Sequence, residues 1–210
     1  MDRTALRSRA WLAGIVALCG LWLVHNGSAV RTAAPQPATA EAFTAGAGPR
    51  TGTGTTRPLG PAAPVRIRVP AIGVDAPMTG LGLGADGRLA APPASDRNLA
   101  GWFEDGTPPG AEGTAIVAGH VDNAEGPSVF YSLGSLKKGA RVEVDRGDGR
   151  TAVFSVDAVE LHDKDDFPDE RVYDATPYAS LRLITCGGGF NRETGYQGNV
   201  VAYAHLTGVR

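Results

Sequence analysis

The segment "LRLITCGGGFN", Leu181–Asn191, joins an alternating apolar run to a cysteine and three glycines. In a regular strand, one face holds Leu181, Leu183 and Thr185, and the other holds Arg182, Ile184 and Cys186. The glycines that follow leave open space and free backbone N–H groups beside the sulfur. We therefore predict that Cys186 ends a strand, in surroundings that suit a nucleophile better than a core residue.

Short runs with similar alternation occur elsewhere between Val65 and the C-terminus. They are separated by Gly, Pro and Asp, and include "VRIRV", "AIVAG", "ARVEVD", "TAVFSVDAVEL" and "NVVAYAHL". "DRGDGR", between Val144 and Thr151, has the residues of a hairpin turn. With 29 Gly and 15 Pro among 210 residues, helix should be scarce. The pattern predicts one all-β domain over residues 65–210, either a barrel or a sandwich.

The N-terminal part of the chain has a different composition. Three arginines precede an apolar run, Ala10–Val24, which predicts a membrane anchor or signal segment within residues 1–26. No clean small-residue cleavage site precedes Gln36, so we favour an uncleaved anchor with its arginines in the cytoplasm. Residues 27–64, rich in Ala, Pro, Gly and Thr, predict a disordered linker. The domain at residues 65–210 is then expected outside the cell, held at the cell membrane.

Charge and cysteine content narrow the function classes. The net charge is -2, and no basic stripe with interleaved aromatic residues occurs, so we expect no nucleic-acid partner. The chain has two cysteines, and Cys19 lies in the apolar run, where it cannot meet Cys186 of an exported domain. Cys186 is therefore an unpaired thiol, either a small buried hydrophobe or a nucleophile.

A nucleophilic thiol needs a neighbouring base, because a thiol with a pKa of about 8.5 is mostly protonated at neutral pH. Beyond the leader, three histidines are available. His120, in "TAIVAGHVDN", follows an apolar run at a strand-to-loop junction and is the best placed to face a cleft. His162 lies among acids and is predicted to be a solvated loop residue. His205 is predicted to be a structural residue at a strand end.

Attack of the thiolate on a carbonyl also requires a donor for the oxyanion, and arginine can serve. Arg192 is the only arginine between Cys186 and the C-terminal Arg210. The alternative interpretation of Arg192 is a charge on a surface loop.

Taken together, "GTAIVAGHVD" and "LRLITCGGGF" resemble the sortases, and within them the class F type of high-GC Gram-positive bacteria. The resemblance covers nearly all of Val65–Leu206 and includes "GWFEDGTPPGAEGTA" and "VFYSLGSLKKGARVEVD". It implies a closed β-barrel of about eight strands with short helices in its loops. It also implies an N-terminal anchor and a His, Cys, Arg triad at the edge of the barrel.

The implied site residues follow position by position. His120 matches the family histidine, Cys186 matches the nucleophile, and Thr185 matches the preceding threonine, for which we predict substrate binding. Arg192 is the nearest match to the arginine. Sortases usually place that arginine closer to the start of the last strand, where this chain has Gly195, Gln197 and Asn199.

The implied reaction is transpeptidation of secreted proteins that carry a C-terminal sorting signal similar to Leu-Pro-x-Thr-Gly, cut between Thr and Gly. The acceptor would be an amine of a peptidoglycan precursor or a pilin, the enzyme a monomer, and no metal or organic cofactor is needed. Calcium binding by Asp163, Asp165 and Asp166 is a weaker hypothesis than a solvated loop.

Two alternatives stay open at this point. An L,D-transpeptidase is also an extracellular cysteine enzyme, but it predicts an S-x-G-C pattern where this chain has "LITCGGG". A non-enzymatic, wall-associated binding module with a buried cysteine is the other.

Overall fold

The computed structural model describes residues 33–44 and 56–210. These residues form ten strands: β1 Pro64–Val69, β2 Val74–Leu81, β3 Ala100–Phe103, β4 Gly113–Ala118, β5 Asp122–Asn123, β6 Gly126–Pro127, β7 Arg141–Arg146, β8 Thr151–Asp163, β9 Ala179–Asn191 and β10 Gly195–Val209. One short α-helix, α1, spans Asp169–Tyr173, and 3₁₀ turns lie at Thr39–Glu41, Pro70–Ile72 and Leu133–Ser135. The all-β prediction, with helix confined to short pieces between strands, is confirmed.

Eight strands close into a barrel in the order β1-β2-β3-β4-β9-β10-β8-β7. The pairs β2–β3 and β4–β9 are parallel and the other barrel pairs are antiparallel. Strands β5 and β6 form a separate two-stranded ribbon. Closure pairs every barrel strand on both sides, so the barrel has no free edge strand. The structure therefore confirms a closed barrel and excludes a sandwich.

The alternation in the sequence separates the inside of the barrel from its outside. In β7, Val142 and Val144 are fully buried in the core, whereas Asp145 faces outward and accepts a hydrogen bond from Arg68 of β1 at 2.7 Å. The turn between β7 and β8 lies where "DRGDGR" predicts it. Gly149 takes a φ of +79° there, which favours glycine over any residue with a Cβ.

The hairpin of β9 and β10 is longer than the sequence predicts. Cys186 was expected to end its strand, but β9 continues through the glycines to Asn191. Glycine is a poor strand former, but pairing with β10 continues here, with Cys186 opposite Asn199 and Gly187 opposite Gly198. Gly188, with a φ of +77°, lies in a bulge before the pairing resumes at Phe190 and Tyr196. On the other side of β9, pairing with β4 stops at Ala118 and Ile184. The thiol therefore lies just past the point where β9 loses one of its two neighbours.

Residues 34–43, within the predicted linker, lie against the barrel, and we call them the N-terminal strap. At its C-terminal end the Phe43 N–H donates to Glu160 Oε1 at 2.9 Å. The Phe43 ring meets Tyr203 edge-on, with ring centroids 5.2 Å apart. The strap departs from the expectation of disorder because the barrel supplies the apolar surface and the hydrogen bonds that the strap alone lacks.

The predicted membrane anchor lies outside the described residues, as do residues 27–32 and 45–55 of the predicted linker. None of the helices in the described part of the chain has the length and apolar character needed to cross a membrane.

Candidate active site

Parallel pairing of β4 and β9 brings His120 and Cys186 together. Gly119, the first residue after β4, donates its N–H to the Ile184 carbonyl at 3.1 Å. The Gly119 carbonyl accepts from the Thr185 hydroxyl at 2.8 Å. His120 and Cys186 are the next residues of their two segments, so they are neighbours where the parallel pairing ends. The two residues that the sequence singles out therefore follow adjacent strand ends, and their roles as base and nucleophile stay predictions.

Thr185 holds this arrangement in place. The residue is only 4% exposed, and its hydroxyl donates its hydrogen bond to the Gly119 carbonyl. A buried hydroxyl that joins the ends of two strands is a positioning group, because it sets the register from which His120 and Cys186 project. The contact with substrate that we predicted for Thr185 stays a prediction.

The His120 ring is oriented by one hydrogen bond to the backbone. Its Nε2 lies 2.7 Å from the carbonyl oxygen of Pro92. A carbonyl oxygen only accepts, so Nε2 carries the hydrogen and Nδ1 of the neutral ring is the nitrogen without one. Nδ1 is therefore the ring nitrogen that can accept a proton, and we predict that it takes the proton of the thiol and returns it to the substrate.

The other two histidines have structural partners. His162 was predicted to be a solvated loop residue, which is wrong: it lies in β8 with its side chain 14% exposed. Its Nε2 is 2.9 Å from the Tyr203 hydroxyl, because β8 extends to Asp163 and its outer face is covered. His205 Nδ1 lies 2.7 Å from Asp157 Oδ1, which fits the structural role that we predicted.

The Cys186 thiol is half-buried, and its surroundings favour the protonated form. Burial raises the pKa of the Cys186 thiol above its ordinary value, the Lys164 ammonium lowers it, and the Asp122 carboxylate raises it. Since burial dominates, the resting group at neutral pH is a thiol and not a thiolate. Nucleophilic attack therefore depends on a base that removes the proton as the reaction proceeds.

Asp122 and Tyr196 form a second feature of the site, which the sequence analysis missed. The Tyr196 hydroxyl donates to Asp122 Oδ2 at 2.7 Å. Burial and then this hydrogen bond raise the pKa of Tyr196 above its ordinary value. The contact ties the ribbon that follows His120 to the β9–β10 hairpin. The only hint in the sequence is "GHVD", which places an acid two residues after the histidine.

Arg192 lies in the turn between β9 and β10, and it is exposed. It follows Cys186 by six positions, beyond the bulge at Gly188. The fold therefore brings His120 to Cys186 but leaves Arg192 at the tip of the hairpin. The role of Arg192 as oxyanion donor stays a prediction.

The acids weighed as calcium ligands, Asp163, Asp165 and Asp166, lie at and just after the end of β8. Within residues 33–44 and 56–210, no three His, Cys, Asp or Glu side chains are grouped so that they could hold a metal ion. We assign these acids no metal role.

The N-terminal strap reaches the site at its other end. The Gly188 N–H, two residues after Cys186, donates to Gln36 Oε1 at 2.9 Å. Ala34 is 7% exposed, and the Pro35 carbonyl lies so close to Gly134 that a Cβ on Gly134 would overlap its oxygen. The Gln36 side-chain carbonyl therefore accepts a hydrogen bond from a backbone N–H two residues after the predicted nucleophile.

We expect Gly134→Ala to loosen this end of the strap, because the added methyl group must displace the Pro35 carbonyl. Losing the bond between Gln36 and Gly188 should increase the rate of Cys186 alkylation by a bulky maleimide about 2- to 10-fold, the equivalent of one hydrogen bond. Gln36→Ala should act in the same direction. Gly82→Ala, where a Cβ meets nothing within 4 Å, is the matched control. Unchanged alkylation in both variants would contradict the prediction that the strap limits access to the thiol.

A closed barrel with a histidine and a cysteine at the ends of adjacent parallel strands suits a cysteine enzyme that performs acyl transfer. Residues 67–207 match the sequence model of the sortase domain. The chain belongs to the sortase family, and it is therefore a cysteine transpeptidase. The two alternatives, an L,D-transpeptidase and a non-enzymatic binding module, are set aside by this match.

Solved sortase structures share the fold. Sortase A of Listeria monocytogenes is 20% identical, with a TM-score of 0.52 over 71% of this chain and 89% of its own. Sortase C1 of Streptococcus agalactiae is 17% identical, with a TM-score of 0.52 over 69% of each chain. Sortase A of Corynebacterium diphtheriae is 18% identical, with a TM-score of 0.52 over 70% of this chain and 60% of its own. No curated protein sequence matches the chain.

Proposed function

We propose that this sortase is a membrane-anchored, extracellular enzyme of the class F type. It cleaves a C-terminal sorting signal similar to Leu-Pro-x-Thr-Gly between Thr and Gly and joins the protein to an amine of a peptidoglycan precursor or a pilin. The observation that supports the proposal is the parallel pairing of β4 with β9, which ends just before His120 on one strand and Cys186 on the other. The apolar run at Ala10–Val24 supports the anchor.

In the first half-reaction, His120 Nδ1 takes the proton of the Cys186 thiol, and the sulfur attacks the carbonyl carbon of the threonine. An S–C bond forms while the carbonyl π electrons move to oxygen, giving a tetrahedral oxyanion. As the oxyanion collapses, the C–N bond breaks and the imidazolium protonates the departing glycine amine. The product is a thioester on Cys186, with His120 neutral again.

In the second half-reaction, an amine from the acceptor attacks the thioester carbon. His120 accepts one proton of the amine, the C–S bond breaks, and the resulting imidazolium gives this proton to the leaving sulfur, which restores the thiol and the neutral ring. Anchoring at the membrane would raise the local concentration of both partners, because an unprocessed secreted protein and a lipid-linked acceptor are held at the same surface.

The proposal is tested by incubating the chain with a peptide library of the form Leu-Pro-x-Thr-Gly and measuring the intact mass of the protein. We expect an adduct that ends in the threonyl group on Cys186, and no adduct on Cys186→Ala. The library members that form the adduct show which residues the enzyme prefers in the sorting signal. A folded wild-type protein that forms no adduct with any member, while its thiol reacts with iodoacetamide, would overturn the proposed substrate class.

A further inference from the structure

Asn199 of β10 lies directly opposite Cys186 of β9 in an antiparallel pair. Residues opposite one another in such a pair project from the same face of the sheet, with their Cβ atoms about 4.5–5.5 Å apart. The burial of neighbouring pairs agrees with this shared facing. Thr185 and its partner Val200 are both buried, whereas Cys186 and Asn199 are both partly exposed. The carboxamide and the thiol therefore share the outer face of the barrel wall.

The two neighbours of β9 place different groups on either side of the sulfur. His120 follows β4 on one side, and Asn199 belongs to β10 on the other. The reaction needs a proton carrier and, separately, a hydrogen-bond donor where negative charge develops on the carbonyl oxygen. A carboxamide offers two N–H donors, and side-chain amides act as oxyanion donors in acyl-transfer enzymes.

We infer that the Asn199 side-chain amide donates a hydrogen bond to the oxyanion formed when Cys186 attacks the substrate carbonyl. The inference rests on the proposed function, because the oxyanion exists only if Cys186 is acylated. It gives Asn199 the role that sequence analysis assigned to Arg192.

Two other polar residues of this hairpin, Arg192 and Gln197, are less well placed to donate a hydrogen bond beside the sulfur. Arg192 is in the turn at the hairpin tip. Gln197 falls where the register between β9 and β10 shifts, so it has no partner on β9, and its side-chain oxygen lies over Gly189. Of these three side chains, Asn199 is the one that the register places next to the sulfur.

The size of the expected effect follows from when the bond forms. The donor meets full negative charge only in the transition state, so its loss should slow acylation without weakening substrate binding. Removing one oxyanion donor typically costs about 10²- to 10³-fold in rate. The KM for the peptide should change little by comparison.

The test uses Asn199→Ala and Asn199→Asp, the second of which keeps the shape of the side chain but replaces the N–H donors with acceptors. Acyl-enzyme formation with a Leu-Pro-x-Thr-Gly peptide is measured in single turnovers, and alkylation by iodoacetamide is measured in parallel. Alkylation consumes the same thiol without forming an oxyanion, so it reports folding and thiol reactivity alone. Gln197→Ala is the matched control, since it removes a carboxamide two residues away on the same strand.

We expect acylation by Asn199→Ala to fall about 100-fold or more, while alkylation stays within about threefold of the wild type. In Asn199→Asp, acylation should fall further than alkylation does. Acylation within threefold of the wild type in Asn199→Ala would overturn the inference, as would an equal loss in both reactions.

Arg192→Ala, measured alongside, decides between the two assignments, because the oxyanion donor is the residue whose loss slows acylation selectively. A wild-type protein that is alkylated but never acylated would overturn the proposed function as well.

Discussion

Replacing His120 by alanine lowers the rate of acyl-enzyme formation by about 10²- to 10⁴-fold, the range over which a positioned general acid and base contributes. The effect should be large here because burial raises the pKa of the Cys186 thiol, so little thiolate exists before a base acts. The same ring must then protonate the leaving amine. The hydrogen bond from Nε2 to the Pro92 carbonyl leaves Nδ1 as the nitrogen for both tasks.

The measurement is the single-turnover rate of acylation followed by mass spectrometry. His205→Ala is the control of the same residue type. The His205 ring lies farther along β10 and bonds to Asp157 of β8, so its loss should leave the chemical step intact. Because the missing base is supplied by hydroxide at high pH, alkylation of Cys186 in His120→Ala should still rise with pH. Acylation by His120→Ala within threefold of the wild type would remove His120 from the mechanism.

Replacing Arg182 by alanine lowers the free energy of unfolding by about 3 kcal/mol, because it empties a packed site. Arg182 is 2% exposed, and its guanidinium lies 4.9 Å from the centroid of the Tyr203 ring. Burial lowers the pKa of Arg182. No carboxylate in the described residues forms an ion pair with it, and its Nε has no hydrogen-bond partner there. Its contribution is therefore packing more than charge.

Arg182→Met separates the two contributions, since methionine keeps most of the volume of the stem and removes the buried cation. We expect the free energy of unfolding of Arg182→Met, measured in urea, to lie within about 1 kcal/mol of the wild type. A buried charge without an ionic partner is costly to keep, so its removal should offset part of the lost packing. A loss in Arg182→Met as large as that in Arg182→Ala would show that the charge itself holds this part of the barrel.

The burial of Arg182 illustrates where sequence patterns stop being informative. Alternation correctly puts Leu181 and Leu183 in the barrel interior and Arg182 on the opposite face. It cannot reveal that this outer face is also covered. Ala158, Val172 and Tyr203 form a second apolar cluster there, joined by Phe43 of the N-terminal strap. Contacts between segments so distant in the chain leave no periodic trace in either one.

The same limit applies to the site. The residue types at His120 and Cys186, each at the end of an apolar run, are visible in the sequence because nucleophilic chemistry needs a thiol and a base. The two are 66 positions apart, so only the fold shows that parallel pairing makes them neighbours. Its charge makes Arg192 the predicted oxyanion donor. The register selects Asn199 by position.

Sequence alone determined the all-β class and the family, and it predicts the strand-rich domain after residue 64 and the reactive pair, because these depend on residue type and on period-two alternation within short segments. Tertiary structure decided that the sheet closes, that β9 continues past the thiol, that the strap bonds to the hairpin beside the thiol, and which polar residue of β10 pairs with Cys186. These features depend on pairing between distant segments, where the partner's hydrogen bonds and burial outweigh the local propensity of glycines and of a linker rich in proline and alanine.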